Sequence, residues 1–196
     1  MSFIPLPDAT IAFYPDFLKK NQANEMFESL YKETSWQQDP ITVFGKTYPQ
    51  PRLTALYGNN GLPYSYSNIT MHPHPFTQEM NLLLNNIKAV CSTEFTSVLM
   101  NLYRNGSDSN GWHSDDEKEL GADPVIASLS LGATRMFHLR HKFDKSKRHK
   151  MELTHGSLLL MSGKTQHFWQ HQIPKTKKEV APRINLTFRK ITVVKK

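Results

Sequence analysis

Residues 183–189 read Arg-Ile-Asn-Leu-Thr-Phe-Arg, an uninterrupted alternation of polar and apolar side chains. Because successive side chains of a β-strand point to opposite faces, this segment is predicted to form a strand with one apolar and one polar face. The polar face carries Arg183, Asn185, Thr187 and Arg189. Arginine holds a carboxylate through two parallel hydrogen bonds, so this face suits an acidic ligand. The alternative is a polar face turned to solvent, which is the commoner reason for such alternation.

A series of similar short segments precedes this strand. Each is rich in β-branched and aromatic residues, and clusters of Gly, Asn, Asp and Ser separate them as turns. Many short strands joined by turns are typical of a sandwich or a jelly roll. We predict this architecture with strands at residues 96–103, 125–131, 135–141, 150–153, 157–161, 168–173 and 183–189.

Two helices are predicted in the first half of the chain, where apolar residues recur at helical spacing. One begins near Asp16 and continues past Leu30, and the other begins near Pro75 and continues to Cys91. Residues 44–68 hold glycines, prolines and tyrosines and are predicted to form hairpins and loops rather than core elements. The fold class is therefore α+β but mainly β, with a jelly-roll core and N-terminal helices packed outside it.

The composition limits the class of protein. The chain has 196 residues, 38% of them hydrophobic, and no repeat or low-complexity linker, so we predict a single domain, 1–196. Its one cysteine, Cys91, excludes an intrachain disulfide and suits a reducing compartment. The N-terminus lacks a secretory signal pattern, and no apolar run is long enough to span a bilayer. We expect no membrane association, and a cytoplasmic location in a bacterium or a nuclear one in a eukaryote.

The net charge of +7 favours an anionic partner such as nucleic acid. An ordinary basic surface explains the same charge equally well. Lysines and arginines crowd into residues 142–150 and 175–178, where they could hold the phosphates of a nucleic acid.

His113-Ser114-Asp115 is a candidate metal-binding pair. On an extended segment an H-x-D pair presents its imidazole and carboxylate to the same side. With a second histidine they would form the two-histidine, one-carboxylate set of non-haem Fe(II) oxygenases. His171 is the preferred third ligand because the strand at 183–189 follows it closely, and His167 is the alternative.

The sequence resembles the AlkB family of dioxygenases that dealkylate DNA and RNA. The resemblance extends in order over residues 40–191, whereas the first 40 residues match less clearly. It rests on the runs Asn101-Leu102-Tyr103-Arg104-Asn105, Gly111-Trp112-His113-Ser114-Asp115-Asp116-Glu117, Ile126-Ala127-Ser128-Leu129-Ser130-Leu131-Gly132-Ala133-Thr134-Arg135, His155-Gly156-Ser157-Leu158-Leu159, Trp169-Gln170-His171 and Pro182-Arg183-Ile184-Asn185-Leu186-Thr187-Phe188-Arg189.

The resemblance implies a double-stranded β-helix whose catalytic core spans 96–191, after an N-terminal extension and helix at 1–40. It implies Fe(II) held by His113, Asp115 and His171, with 2-oxoglutarate and O2 as cosubstrates. The 2-oxoglutarate contacts that the resemblance implies are Asn101, Tyr103, Arg183, Asn185 and Arg189. Thr187 is added to them because it lies on the same polar face of the strand at 183–189. Among these, Arg189 is expected to bind the distal carboxylate.

The resemblance also implies oxidative demethylation of bases such as 1-methyladenine and 3-methylcytosine, with release of succinate and formaldehyde. Hairpins at 41–70 would recognise the nucleotide, with Tyr64 and Tyr66 lining the base pocket. Asp116 and Glu117 would contact the base, although a solvated acidic turn is the alternative, more so for Glu117. Phe44 would act as a wedge in a duplex, or else pack in its hairpin.

Other substrates remain open. The same chemistry serves an RNA or protein demethylase or a small-molecule hydroxylase, and a non-catalytic nucleic-acid-binding jelly roll is a further alternative. We expect DNA, single- or double-stranded, or RNA as the partner, and a monomer with no obligate protein partner.

Overall fold

The computed structural model describes residues 1–43, 45–66 and 69–192, with the backbone alone at Val43 and Tyr66. In this part of the chain the strands are β1 (Ser2–Phe3), β2 (Thr10–Tyr14), β3 (Pro40–Val43), β4 (Lys46–Pro49), β5 (Leu53–Gly58), β6 (Tyr64–Tyr66), β7 (Ile69–Met71), β8 (His74–Pro75), β9 (Ser97–Tyr103), β10 (Asn110–His113), β11 (Ile126–Gly132), β12 (Arg135–His141), β13 (Arg148–Leu153), β14 (Ser157–Ser162), β15 (Trp169–Ile173) and β16 (Arg183–Arg189). The helices are α1 (Lys20–Glu33), α2 (Gln78–Lys88), the short α3 (Thr165–Phe168) and a 3-10 turn at Lys118–Leu120. The predicted strands from β9 onward are confirmed, with ends that shift by at most two residues.

Two sheets form the core. The larger has the order β1-β2-β14-β11-β16-β9-β5-β8 and the smaller the order β10-β15-β12-β13. Strand pairs in both are antiparallel except β5 with β8. Leu99 and Leu159 of the larger sheet join Phe137 and Trp169 of the smaller one in a single apolar cluster. The sheets therefore pack face to face, which confirms the predicted jelly-roll core.

Strand β16 lies near the middle of the larger sheet, between β11 and β9. Its apolar residues pack in a second cluster with α1 and α2, on the face away from the smaller sheet. Its polar face points between the sheets and is equally buried, with exposures of 1% at Arg183, 8% at Asn185, 7% at Thr187 and 5% at Arg189. The alternative of a solvated polar face is therefore wrong.

Helix α1 begins at Lys20, later than the expected start near Asp16. The Leu18 N–H donates to the carbonyl oxygen of Gly156 at 3.0 Å, which holds the preceding residues against the sheet. Lys19, the N-cap, has an extended backbone with a ψ of 146°, so the helical turns begin only after it. The helix packs across β11 on the outer face of the larger sheet, as predicted for the N-terminal helices.

Helix α2 begins at Gln78 rather than near Pro75. The Thr77 side chain accepts the N–H of Met80 at 3.3 Å and so acts as the N-cap. The residues before it, His74–Pro75, pair as a strand with the end of β5. No helix in the part of the chain that the structure describes is long and apolar enough to cross a membrane.

The interpretation of residues 44–68 as hairpins and loops outside the core is only partly right. Strands β3 and β4 form one hairpin and β6 and β7 another. Strand β5, between them, is a core strand of the larger sheet, where Ala55 and Leu56 are 2% and 1% exposed. Its Leu-Thr-Ala-Leu-Tyr-Gly sequence lacks strict alternation because both of its faces are covered.

The exposed Arg104 and the buried Arg135 tie together the loops beside β10 and β15. Arg104 binds both carboxylate oxygens of Asp108 at 2.8 and 2.9 Å, and its N–H donates to the same carboxylate at 2.8 Å. Arg135 donates to the carbonyl oxygens of Asn105 at 3.1 Å, Asp108 at 2.9 Å and Pro174 at 2.7 Å. These bonds hold the loop before β10 and the loop after β15 next to each other.

We expect Asp108→Asn to lower the free energy of unfolding by about 1–3 kcal/mol at neutral pH, because the bonds to a buried charge are lost. Burial alone would raise the pKa of Asp108, but the bonds from Arg104 lower it below its ordinary value. A carboxyl with a lowered pKa stabilises the fold above its unfolded pKa, near 4, and loses this effect as the pH falls through its folded pKa. Urea denaturation from pH 7 to pH 3 should show the two proteins converging in acid. A difference that widens toward pH 3 would contradict this role.

Candidate metal and cosubstrate site

A cavity of about 240 Å³ opens between the two sheets. Strands β9, β11 and β16 of the larger sheet form one wall, and β10 and β15 of the smaller sheet help to form the other. The structure brings to this cavity most of the side chains predicted from the sequence, namely His113, Asp115, His171, Asn101, Tyr103, Arg183, Asn185, Thr187, Arg189, Tyr64 and Glu117.

Three side chains at one end of the cavity form a candidate metal site. His113 ends β10, and it pairs across the smaller sheet with His171 of β15. Potential ligand atoms of these histidines and of Asp115 lie within 4.8 Å of one another. His167, the alternative third ligand, lies on α3 outside the cavity, where its Nε2 is 3.0 Å from Asp123. The geometry therefore favours His171.

Neighbouring groups fix the orientation of these ligands. The Asp115 N–H donates to Gln166 Oε1 at 2.9 Å, and Asp115 Oδ1 accepts from Arg189 Nη2 at 2.7 Å. Nδ1 of His113 lies 2.8 Å from the carbonyl oxygen of Gly111, which accepts and so requires the proton on Nδ1. That tautomer leaves a lone pair on Nε2 of His113, which accepts from Asn110 Nδ2 at 3.3 Å here and could bind a metal instead.

The pKa values of the ligands suit metal binding at neutral pH. Burial, with a smaller contribution from His113, lowers the pKa of His171 to about 3. Burial also lowers the pKa of His113, although Asp115 opposes this effect. Burial would raise the pKa of Asp115, but Arg189 and both histidines bring it down to about 2. The site therefore offers two neutral imidazoles and one carboxylate, the protonation states that a divalent cation requires.

The cavity also holds arginine donors that have no partner. Nε and Nη1 of Arg183, and the same atoms of Arg189, are buried without a hydrogen bond to any residue that the structure describes. Nη2 of Arg183 donates to Ser130 Oγ at 2.9 Å, and its guanidinium lies 5.2 Å from the ring centre of Tyr103. Unpartnered buried donors are costly, so this arrangement fits an acidic ligand that would accept from them.

The two arginines lie at different places in the cavity. Arg189 is hydrogen-bonded to Asp115 and so lies at the metal end of the cavity. Arg183 lies six residues before Arg189 on β16, where it pairs with Tyr103 of β9. A keto acid bound to the metal extends its distal carboxylate away from it. This placement favours Arg183, rather than the expected Arg189, for contact with the distal carboxylate, and the assignment stays a prediction.

The remaining predicted cosubstrate residues shape the wall between the arginines. Asn101 Oδ1 accepts from Arg52 Nε at 2.7 Å. Asn185 Nδ2 donates to Ser128 Oγ at 2.8 Å, and the Thr187 hydroxyl donates to Asn185 Oδ1 at 2.9 Å. These bonds hold polar atoms in fixed positions along the wall.

The predicted substrate residues separate into two groups. Tyr64 is buried in the cavity wall, its hydroxyl bonds to the Glu117 carboxylate, and its ring centre lies 5.1 Å from the Arg189 guanidinium. Asp116 is exposed outside the cavity and pairs with Lys142 at 2.9 Å. The sequence alone favoured a solvated acidic turn more for Glu117 than for Asp116, and this order is wrong, because Asp116 is the solvated residue and Glu117 lines the cavity. The Tyr66 side chain and the whole of Phe44 lie outside the described residues, so their roles stay predictions.

Sequence reasoning missed several residues that hold the site. Gln166 and Arg52, which orient Asp115 and Asn101, carry no sequence signal that separates them from surface residues. Ser128 and Ser130 do carry one, because they alternate with apolar residues in β11 and face Asn185 and Arg183.

Glu117 was predicted together with Asp116, and the sequence carries a signal that separates the two. Extending the alternation of His113 and Asp115 by one further step points to Glu117, which lines the cavity, and not to Asp116.

We expect the protein to bind one Co(II), a spectroscopic substitute for Fe(II), and His171→Ala to lose at least tenfold in affinity because one of three ligands is removed. His167→Ala is the matched control, since His167 lies outside the cavity, and it should bind as the wild type does. Titration of the d–d absorbance bands measures both. Loss of binding in His167→Ala with retention in His171→Ala would overturn the assignment.

Known proteins share this sequence and architecture. Residues 10–189 match the 2OG-Fe(II) oxygenase superfamily. The chain is 45% identical to the alpha-ketoglutarate-dependent dioxygenase alkB homolog 3 of Bos taurus, over 97% of this chain and 69% of that protein. It is 39% identical to the DNA oxidative demethylase ALKBH2 of Homo sapiens, over 93% of this chain and 74% of that protein.

Solved structures share the fold. The structure of OsALKBH1 superposes with a TM-score of 0.68 at 18% identity, covering 92% of this chain and 97% of that one. A prolyl hydroxylase from Trichoplax adhaerens superposes with a TM-score of 0.65 at 13% identity, covering 92% and 83%. At these identities the likeness concerns the fold alone. Because the sequence matches cover nearly the whole chain, the protein belongs to the 2OG-Fe(II) oxygenase superfamily, among its AlkB relatives, and uses Fe(II), 2-oxoglutarate and O2.

Proposed function

We propose that this enzyme oxidatively demethylates N-alkylated bases of DNA, such as 1-methyladenine and 3-methylcytosine, with release of formaldehyde and succinate. One observation carries the proposal: the metal site, the unpartnered arginine donors and a wall of Tyr64 and Glu117 share one cavity. The relatives support it, because the human relative at 39% identity is a DNA oxidative demethylase by name.

His113, Asp115 and His171 would hold the iron, which supplies the oxidation of the methyl group together with 2-oxoglutarate and O2. The protein's own part is to bind and orient the reactants. Arg189 keeps Asp115 ionised and turned toward the metal site through its 2.7 Å bond. Burial between the two sheets keeps bulk water away from the reacting groups.

Arg183 would bind the distal carboxylate of 2-oxoglutarate with its guanidinium, of which Nε and Nη1 have no partner in the described part of the chain. Burial lowers the pKa of Arg183 to about 10, so its guanidinium is protonated at neutral pH. Tyr103, beside it, lies where its hydroxyl can contact the same carboxylate.

We expect Arg183→Leu to raise the KM for 2-oxoglutarate about a hundredfold, because it removes a charged, bidentate contact of roughly 3 kcal/mol. Co(II) binding should persist, since Arg183 does not contact the metal ligands in the described structure. Steady-state kinetics and the Co(II) titration measure the two effects. A KM within threefold of the wild type would exclude Arg183 as the carboxylate partner.

Tyr64 and Glu117 would recognise the methylated base. A base can reach the cavity only after it leaves the stack, at a cost of a few kcal/mol that is lower for a damaged base. Both proposed substrates are cations, and Glu117 offers a carboxylate whose Oε2 has no partner among the described residues. Tyr64 presents an aromatic ring in the same wall.

The test is a turnover assay with a 3-methylcytosine oligonucleotide as single-stranded DNA, annealed DNA and RNA. We expect iron-dependent release of formaldehyde and succinate, abolished in Asp115→Ala. If the iron-loaded enzyme consumes no 2-oxoglutarate with any of these substrates, the proposed function is wrong. The ratio of rates among them decides strand and sugar preference.

Two variants of adjacent acids make the assay specific for base recognition. Glu117→Gln should lower kcat/KM by about tenfold or more, because it removes the negative charge that faces the cationic base. Asp116→Asn, one residue away and exposed, is the matched control and should stay within about twofold. Equal losses in both variants would argue against a role of Glu117 in recognition.

A further inference from the structure

An exposed aromatic ring stands among lysines at the turn between β12 and β13. This turn, residues 142–147, is called the basic tip and reads Lys-Phe-Asp-Lys-Ser-Lys. Phe143 within it is 77% exposed, more than any other large hydrophobic side chain of the described residues. Lys145 and Lys147 are exposed beside it. An apolar ring flanked by cations does not suit an apolar protein surface, since burial of the lysines would be costly.

The basic tip is rigid in spite of its exposure. Nδ1 of the buried His141 accepts the N–H groups of Phe143 at 3.3 Å and Asp144 at 3.0 Å. Asp144 Oδ1 in turn accepts the N–H of Ser146 at 3.0 Å and its hydroxyl at 2.6 Å. The Phe143 ring meets the rings of His141 and Phe168 edge-on, each at 6.0 Å between centres. Its position is therefore set before any ligand arrives, which lowers the entropic cost of a contact.

The basic tip adjoins the entrance of the cavity. Lys142 Nζ bonds to Asp116 Oδ2 at 2.9 Å. Asp116 is flanked by Asp115 and Glu117, which both line the cavity. The Lys142 N–H donates to the carbonyl oxygen of Phe168 at 2.7 Å, which anchors the tip beside β15. A nucleic acid whose methylated base enters the cavity would therefore pass this turn.

We propose that Phe143 stacks on an unpaired base adjacent to the methylated one, while Lys145 and Lys147 bind the phosphates of the same strand. This inference rests on the proposed function. A basic track with an aromatic ring is the arrangement by which proteins bind single-stranded nucleic acid, because every base has a face for stacking. The ion pair of Lys147 with Asp144, 3.4 Å and exposed, is weak enough to be exchanged for a phosphate.

The first test is binding of a fluorescent, single-stranded 3-methylcytosine DNA to the Fe(II)- and 2-oxoglutarate-loaded enzyme without oxygen, followed by anisotropy. Phe143→Ala should weaken binding between about fivefold and a hundredfold, the range for loss of one base–aromatic stack. Phe143→Tyr should bind as the wild type does, whereas Phe143→Leu should resemble Phe143→Ala. Leu82→Ala is the control, because Leu82 is 57% exposed on α2, across the larger sheet from the cavity.

The salt dependence of DNA binding distinguishes the contribution of the Phe143 ring from those of Lys145 and Lys147. Phe143→Ala should leave the slope of log Kd against log salt unchanged, whereas Lys145→Gln or Lys147→Gln should reduce it by about 0.7. The loss in Phe143→Ala should be smaller on an annealed duplex, whose bases already stack on one another. Equal affinity of Phe143→Ala and wild type, or a larger loss on the duplex than on the single strand, would overturn the proposal.

A second measurement is independent of turnover. 5-Iodouracil placed next to the methylated base should cross-link to Phe143 under ultraviolet light, and mass spectrometry locates the modified residue. Cross-links confined to other residues would overturn the stacking contact. If the wild type releases no formaldehyde yet cross-links at Phe143, the proposed function fails while the stacking contact stands. If the wild type releases formaldehyde but does not cross-link at Phe143, the proposed function stands and the stacking contact fails.

Discussion

The buried ion pair between Arg189 and Asp115 is the interaction on which the site depends. It joins β16 of the larger sheet to the segment after β10 of the smaller sheet, at a distance of 2.7 Å and with both side chains almost fully buried. Either charge alone would be expensive to bury, so each requires the other. Because Oδ1 of Asp115 accepts the hydrogen bond from Arg189, its Oδ2 points toward His171, with 3.9 Å between Oδ2 and His171 Nε2. The pair thus sets both the spacing of the two sheets here and the direction of the one acidic metal ligand.

The same pair explains why the cavity favours an anion. Arg52, Arg183 and Arg189 line it, against Asp115 and Glu117 as acids. Asp115 neutralises Arg189, and Glu117 is hydrogen-bonded to Tyr64. The positive charge of Arg183 has no acidic partner among the described residues, where its polar side-chain contacts are with Ser130 and Tyr103. A fold that leaves such a group buried is stabilised when an acidic ligand binds, and this links cosubstrate binding to stability.

Much of the fold and part of the site could be predicted from the sequence. Alternation along 183–189 identified the strand and the residues of its polar face but not the direction of that face, and the H-x-D pattern with His171 identified the metal ligands. Alternation assigns a residue to a face but not to a distance from the metal, and so it could not distinguish Arg183 from Arg189. Strand β5 was missed because a strand covered on both faces has no periodic signal. Gln166 was not predicted, because its contact with Asp115 depends on tertiary packing alone.

The place of β16 in the larger sheet has a consequence for how the molecule assembles. Among the described elements it is the last in sequence, yet it lies between β11 and β9, pairing with β9 over residues 183–189 and with β11 over residues 183–188. Pairings between distant segments form slowly, because the chain must close large loops before it gains contacts. During synthesis the two arginines and the third metal ligand emerge after nearly every other strand. A nascent chain therefore cannot hold reactive iron until its sheet is almost complete, which couples the onset of redox chemistry to the completion of folding.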